Sequence, residues 1–557
     1  MCRVTPKRLN YYEKALEEAK KWQPIYAQTT CLNSEHIAVD IFEPDFIANL
    51  FDEWRMKEMI KNPYISHFLD AQTGSGKTTF IIKNLLPYLQ RCGKRLCILS
   101  PRVSLASHIK KEVIKNDEKA KEIADLLSEK GLRKTMNLGD VDVLTYQSCM
   151  AQLSDDIIKS YGAVVFDEAH YFLSDSTFNR ETEKQMDFLI KKFDKTCRIY
   201  ISATPKKFFH YIYIKEQEHY KSNYMFPVNY WMRLYHFKRD FSYIRPIFIK
   251  EEELLNNIER SDINHKWVVF IDSKKNGLEM KDNLNSKFEN NTCVFYDSKA
   301  KNDERAEEVN DMIEQEEIKN RVTILTSAFD VGININTKDI SIVISPNCEV
   351  EVLQEIGRKR VSKNNEEIIE VFILVPNTKK LNSRICSIQK FLDEFEEEKQ
   401  RYEKNSKFNG YEIKHPFYCE DGKITYNHFT IIEKNNQLDF YKEILSLSQK
   451  EDLFIVIKKL IYSWFEFGTD SLDLEINEDS VQNLLKEFIS THRECNISKE
   501  DCDKLAESIP EHESYRNRSK DGSWTTFLNK YLNPMGYQLN KVSNEDYYRI
   551  KPIEKED

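Results

Sequence analysis

The chain has 557 residues, more than one hydrophobic core serves, and at roughly 150 residues per domain it should hold three or four domains. Hydrophobic residues make up 40% and aromatics 12%, enough for packed cores and too much for extensive disorder. Basic residues number 82 against 91 acidic, a net charge of -9, which excludes attachment to nucleic acid by bulk charge but not a local basic groove.

Mean hydropathy is -0.61 and no apolar run approaches the roughly 18 residues of a membrane span. Met1-Cys2-Arg3-Val4-Thr5-Pro6-Lys7 leads into a charged helical pattern rather than a signal h-region. The expectation is a soluble, cytoplasmic, multidomain protein with no membrane partner. The 12 cysteines are scattered. The closest pairs, Cys92 with Cys97 and Cys495 with Cys502, lack zinc-ligand spacing, so reduced structural thiols are expected.

In chain order, Tyr64–Asp70, Arg95–Ser100, Val141–Leu144, Ala163–Phe166 and Arg198–Ser202 read as buried strands. Thr78–Gln90 and Ser104–Ile123 between them carry apolar residues at helical spacing, and such alternation implies crossovers and a parallel sheet. Lys207–Ile247, crowded with Tyr, Phe and Trp, reads as a connector with some strand content. The alternation resumes at Trp267–Ile271, Thr292–Tyr296, Val322–Thr326, Ser341–Ser345 and Ile368–Val375.

Beyond Pro376, Ser383–Tyr402 reads as a charged helix, Lys423–Ile432 as a strand pair and Leu438–Phe467 as helical. Ser480–Thr491, Lys499–Ser508 and Trp524–Leu532 read as helices. They precede two short strands, Tyr537–Lys541 and Tyr547–Lys551, a pattern suggesting a winged helix. Trp524, Lys530, Lys541 and Arg549, joined by Arg516–Lys520, could present a basic-aromatic surface to a duplex. The expected fold class is α/β, two tandem parallel-sheet domains plus a C-terminal α+β accessory region. The expected divisions are a helical extension (1–45), a first domain (46–206), the connector (207–247), a second domain (248–378), an accessory α/β region (379–475) and a winged-helix-like module (476–557).

The strongest local signal is Asp70-Ala71-Gln72-Thr73-Gly74-Ser75-Gly76-Lys77-Thr78-Thr79, a Gly-rich turn between a strand and a helix. Gly74 and Gly76 can take positive φ and let backbone N–H groups close around phosphate oxygens, helped by the helix N-terminus. Lys77 would reach the β- and γ-phosphates of ATP, and Thr78 would ligate Mg²⁺. The second signal is Ala163-Val164-Val165-Phe166-Asp167-Glu168-Ala169-His170, an apolar strand ending in two carboxylates. Phosphoryl transfer to water needs one carboxylate on the metal, which suits Asp167, and one to orient the water, which suits Glu168.

The A-x-T-G-S-G-K-T of Ala71–Thr78 and the D-E-A-H of Asp167–His170 resemble motifs of the superfamily-two helicases, the DEAD/DEAH-box class of nucleic-acid-dependent ATPases. Further pieces follow in the family's order: Pro101 and Arg102 in Ser100–Leu105, Thr145 and Gln147 in Thr145–Ser148, and Ser202-Ala203-Thr204-Pro205. Val268–Ser273 resembles the strand opening the second domain, Thr326–Asn334 matches T-x-x-x-x-x-G-[IV]-[DN], and Gln354–Arg360 matches Q-x-x-G-R-x-R. The resemblance covers about residues 60 to 375.

The resemblance implies an ATP- and Mg²⁺-dependent helicase or translocase whose ATP lies between two tandem RecA-like domains. Gln72–Thr79, Asp330 and Gly332 would bind nucleotide, and Arg358 or Arg360 would act as the arginine finger. Pro101, Arg102, Thr145, Gln147 and Thr326 would hold nucleic acid, DNA ahead of RNA. His170, Ser202, Thr204 and Gln354 would couple the ATP site to the strand. Two departures bear on this: Asp45–Ile60 holds no adenine-selecting glutamine, and many relatives place the second arginine where Val361 stands. Alternatives are a remodeler that never separates strands and the motor subunit of a restriction or defence complex. A small-molecule kinase is disfavoured by the second α/β block and its paired arginines.

Overall fold

The computed structural model describes residues 37–42, 46–128, 131, 135–203, 208–223, 231–271, 273–288, 292–297, 299–300, 303–326, 333–359, 367–404, 413–420 and 423–465. Beyond them it describes 485–486, 488–490, 492, 496–499, 501–502, 505, 524–535, 537–542 and 547–552. Two compact units result, Met1–Phe465 and Glu466–Asp557.

The first sheet, the core of lobe 1, comprises β1 (Ile37–Phe42), β2 (Ile65–Asp70), β3 (Arg95–Ser100), β4 (Val141–Thr145), β5 (Tyr161–Phe166), β6 (Cys197–Ser202) and β7 (Trp231–Phe237). Its spatial order is β1-β7-β2-β6-β5-β3-β4, and every pairing is parallel. A parallel sheet is covered on both faces, so its strands are near-continuous apolar runs. Alternate side chains then feed two cores. Phe68, Leu99, Val164 and Phe166 enter one, while Leu69, Ile98, Ala163 and Val165 enter the other with Phe80 and Leu85.

The second sheet, in lobe 2, comprises β8 (Ile244–Ile249), β9 (Lys266–Ile271), β10 (Cys293–Tyr296), β11 (Val322–Thr326), β12 (Ile340–Ile344) and β13 (Ile369–Leu374). Its order is β10-β11-β9-β12-β13-β8, again all parallel. In both sheets the strands' carboxyl ends carry the residues singled out by sequence, where open α/β sheets bind ligands.

Three stretches differ from expectation. Within the segment expected to be a helical extension, Ile37–Phe42 is a strand, hydrogen-bonded in parallel to β7. The aromatic connector holds the helix Phe209–Asn223, β7 and β8, and these complete the two sheets. Ile37 faces Met232 across the sheet, a pairing too distant in sequence for any local period to reveal. The strand pair expected in Lys423–Ile432 is one strand, β15 (Lys423–Tyr426), antiparallel to β14 (Phe417–Glu420). Asn427 then caps the helix His428–Ser448 by accepting from Phe429 N, which ends the strand.

The accessory region touches both lobes. Helix Thr378–Lys404 leaves β13, and Lys380 pairs with Glu251 of lobe 2 at 3.1 Å. The chain then returns to lobe 1, where Asn427 Nδ2 donates to Asn179 O (3.2 Å) and Thr182 Oγ1 (2.8 Å), and His428 Nδ1 lies 2.9 Å from Glu183. Phe429 and Ile432 enter the lobe 1 core beside Phe172, Phe208 and Tyr211. Asp452 starts a second helix, Leu453–Trp464, so the helix expected over Leu438–Phe467 is broken. That helix returns to lobe 2, where Phe454 and Tyr462 pack on Phe248.

In the second unit, β16 (Ile497–Ser498), β17 (Tyr537–Lys541) and β18 (Tyr547–Pro552) form an antiparallel sheet in the order β16-β18-β17. Helix Trp524–Leu532 ties to it through Asn529, whose side chain bonds both Leu539 N (2.7 Å) and Leu539 O (3.0 Å). Arg549 Nε donates to Asn496 at 2.7 Å, and Lys530 sits over the Tyr531 ring. Arg516–Lys520 and most of the two helices expected at Ser480–Thr491 and Lys499–Ser508 lie outside the described residues. Among the described residues, no helix is long and apolar enough to cross a membrane.

Candidate active site

β2 ends at Asp70, and Ala71 N still donates to Ser202 O (3.1 Å) before the chain turns. Ser75 closes that turn, its hydroxyl donating to Gln72 O at 2.7 Å. Gly74 and Gly76 have φ of 85° and 82°, the left-handed region that glycine alone enters without strain. Gly76 then caps a helix that runs as Lys77–Phe80, a π turn at Ile81–Leu85, and Leu86–Arg91. The first N–H groups of that helix, unpaired within it, open toward the turn.

Lys77 is nearly buried, its Nζ 3.3 Å from Ala71 O and 3.7 Å from Glu168 Oε1. The ammonium therefore lies between the Gly-rich turn and the carboxylate pair. That pair stands at the end of β5, fixed by Asp167 N donating to Leu99 O and Ala169 N donating to Ile201 O, both at 2.9 Å. Glu168 between them has φ of 48°, a conformation costly for a residue with a side chain and persistent only where neighbours enforce it. Tyr146 Oη donates to Asp167 O at 2.7 Å.

Burial first, then the Glu168 carboxylate, push the Asp167 carboxyl up, with Lys77 opposing. Lys77 and Arg358 both oppose that rise yet leave the Asp167 carboxyl raised, so a further cation beside it would relieve the crowding of two buried carboxylates. Asp167 and the Thr78 hydroxyl are hard oxygen donors of the kind Mg²⁺ takes alongside phosphate oxygens, so these residues fit Mg²⁺–ATP. No group of three or more His, Cys, Asp or Glu suited to a metal occurs among the described residues.

His170 joins the lobes. Its Nε2 accepts from Gln354 Nε2 of lobe 2 at 2.6 Å, and its Nδ1 lies 3.1 Å from Ser202 Oγ and 3.4 Å from Glu168 Oε2. Burial lowers the imidazole to about 4, so it is neutral near pH 7 and its Nδ1–H faces Ser202 and Glu168. Gln354 lies on the helix Glu349–Ile356, and Gly357, next in the chain, presses against Thr73 of the Gly-rich turn. Arg358 is buried, and its carbonyl accepts from Ile335 N at 2.8 Å. With Lys77, Thr78, Asp167 and Glu168 it lines one cavity of about 790 Å³ between the lobes.

Residues 55–210 match the family model described as DEAD/DEAH box helicase. That segment is a DEAD/DEAH box helicase domain. Among solved structures, the chain is similar to Mycobacterium smegmatis helicase Lhr bound to ssDNA and AMP-PNP, at 16% identity and a TM-score of 0.40, over 63% of this chain and 48% of that one. It is also similar to S. cerevisiae Dbp5 bound to RNA and ADP BeF3 (17% identity, TM-score 0.41, 60% and 84% covered). A third is the DUF1998 helicase MrfA bound to DNA (15%, 0.41, 61% and 48%). The chain thus spans about half the length of Lhr and of MrfA. No curated protein matches the sequence.

The other residues singled out by sequence lie at or just beyond strand ends. Arg102 pairs with Asp175 at 2.6 Å and lies over the Tyr171 ring, just before helix Val103–Asn116. Thr145 caps helix Tyr146–Gln152, its Oγ1 accepting from Ser148 N at 3.1 Å, and Gln147 is exposed on that helix. Thr326 ends β11, nearly buried. Thr204, Asp330, Gly332 and Arg360 lie outside the described residues.

Sequence reading missed Gly357 as an interlobe contact, although it stands within Q-x-x-G-R. It also missed Arg239, which no motif flags and whose partners come from four distant segments. The side chain of Gln72, read as a nucleotide contact, pairs with the backbone of Asp240 in the connector.

Proposed function

We propose that this chain is an ATP-dependent nucleic-acid helicase or translocase that hydrolyses ATP between its two lobes. The observation that carries this is the convergence of Lys77, Asp167, Glu168 and Arg358 on one interlobe cavity, with His170 bonded to Gln354 across it.

Lys77 and the N–H groups of Gly74–Thr79 hold the phosphates, and Thr78 with Asp167 would hold Mg²⁺, which supplies charge neutralisation at the phosphoryl oxygens. Glu168 accepts the proton of the attacking water, placed by its enforced backbone and by Lys77. Arg358, from lobe 2, offsets charge on the transferred phosphoryl group, with Arg360 the alternative finger, and Asp330 and Gly332 close on nucleotide from the same lobe. His170, Ser202, Thr204 and Gln354 link this site to the strand. Pro101, Arg102, Thr145, Gln147 and Thr326 meet a single strand through phosphate and sugar, DNA ahead of RNA, so binding weakens as salt rises. The location is cytoplasmic.

Parallel ATPase titrations with single-stranded DNA, duplex DNA and RNA test this reading. Stimulation by at least one, strongest with single-stranded DNA, is expected; ATP turnover indifferent to all three would overturn it. A labelled-duplex displacement assay then separates a helicase from a translocase.

Gly357→Ala probes lobe closure. The added Cβ would lie 2.5 Å from Thr73 Cβ of the other lobe, an atom that no side-chain rotation moves away. Overpacking of this kind costs about 1–3 kcal/mol, here charged to the closed state alone. We expect kcat for ATP to fall about 10- to 100-fold at that cost, with the melting temperature unchanged. A wild-type kcat would show that catalysis needs no such approach.

A further inference from the structure

The covalent link from lobe 1 to lobe 2 is short: β7 ends at Phe237 and β8 begins at Ile244. Two of its residues are bound in ways a passive tether would not need. The Gln72 side chain, at the start of the Gly-rich turn, accepts from Asp240 N at 2.8 Å and donates to Asp240 O at 3.1 Å. The carboxamide supplies one donor and one acceptor for this pair of bonds, which an aliphatic or carboxylate side chain could not.

Next to it, the Arg239 side chain is almost wholly buried. Its Nη1 donates to Glu349 Oε1 and to Trp464 O, both at 3.1 Å, and its Nη2 donates to Ala203 O at 3.0 Å. The same Nη2 stands 4.0 Å from Asp70 Oδ1, whose other oxygen, Oδ2, is 2.6 Å from His236 Nδ1. One guanidinium thereby meets the end of β2 just before the Gly-rich turn, the Ser202–Ala203 strand end, the last turn of helix Leu453–Trp464 and the first residue of helix Glu349–Ile356. That last helix is the arm bearing Gln354 and ending at Gly357 and Arg358. Arginine's planar five-donor fork can serve such divergent acceptors at once, and lysine's point charge cannot.

We propose that Lys238–Phe241 is a coupling latch: Gln72 and Arg239 are positioning residues that transmit nucleotide occupancy of the Gly-rich turn to the Glu349–Ile356 arm of lobe 2. A turn that reorganises around phosphates moves Gln72, Gln72 moves Asp240, and the adjoining Arg239 is tied to Glu349. Coupling of this kind is reciprocal, so docking of the arm equally favours the nucleotide-bound turn. The proposal rests on the nucleotide reading above and deepens it.

Hydrogen–deuterium exchange on the full chain tests it, with wild type, Gln72→Leu and Arg239→Lys each measured with and without Mg²⁺ and AMP-PNP. In wild type, the analogue should slow exchange in both the Lys77–Arg91 helix and Glu349–Ile356. In both variants, protection of Lys77–Arg91 should persist while that of Glu349–Ile356 falls at least fivefold, in keeping with typical coupling strengths. In turnover assays kcat should fall at least tenfold with KM within threefold. Protection of the arm retained in both variants would overturn the latch, as would its loss together with that of Lys77–Arg91, which would be a binding defect. Wild type protected at neither segment would overturn the nucleotide reading itself, and the latch with it.

Discussion

Glu168→Gln should lower kcat for ATP about a thousandfold while nucleotide still binds. General base catalysis is worth roughly 10²–10⁴ in rate, and glutamine keeps the shape of the side chain but accepts no proton. The substitution also removes the nearby negative charge that, after burial, pushes the Asp167 carboxyl up. Asp167 becomes easier to ionise, so the variant's affinity for Mg²⁺–ATP should equal or exceed that of wild type. Lys77→Ala is the counterpart. It deletes the ammonium 3.7 Å from Glu168 and should abolish turnover together with binding. Phosphate release and a fluorescent ATP analogue read the two effects separately. Either variant turning over ATP at the wild-type rate would remove these residues from the mechanism.

Arg358→Ala should be nearly as severe. A guanidinium delivered across a cleft onto the transferred phosphoryl group is worth about 10³–10⁵ in rate. Arg358 is buried against the same cavity as Lys77, Asp167 and Glu168, so its charge is only weakly screened by bulk water. We expect kcat to drop at least a thousandfold, with little recovery in Arg358→Lys because lysine lacks the fork. The backbone bond from Ile335 N to Arg358 O survives either change, so the lobe should stay folded, as near-ultraviolet dichroism would show. Arg360→Ala in parallel decides between the two candidate fingers. If Arg358→Ala stays within tenfold of wild type while Arg360→Ala collapses, the finger is Arg360.

How far the chain could be read without coordinates follows from the range of the interactions. The Gly-rich turn and the carboxylate pair were legible because each is one strand, one turn and one helix, written in adjacent residues. The central strands of both sheets were legible because burial on two faces demands unbroken apolar runs such as Leu96–Leu99 and Val322–Leu325. β1 and β7 were not, since β1 is placed by β7 and β7 by β1 and β2, partners far away in sequence. Lys423–Ile432 misled because alternation in Lys423–Tyr426 runs directly into a helix, and only the Asn427 cap marks the change. Arg239 was invisible for a different reason: its role consists of partners at Asp70, Ala203, Glu349 and Trp464, which the local sequence does not name.

The return of the accessory region to lobe 1 bears on how the molecule assembles as it is made. Phe429 and Ile432 sit within the first lobe's core beside Phe172, Phe208 and Tyr211, although the whole second sheet is encoded between them. Domains tend to fold in order as they leave the ribosome. Here the leading one emerges with an apolar notch that stays open until the following one has been synthesised. For that interval the nascent protein shows an aromatic surface to chaperones, and the sheet face opposite the helix of the Gly-rich turn is finished only when the late helix arrives to cover it.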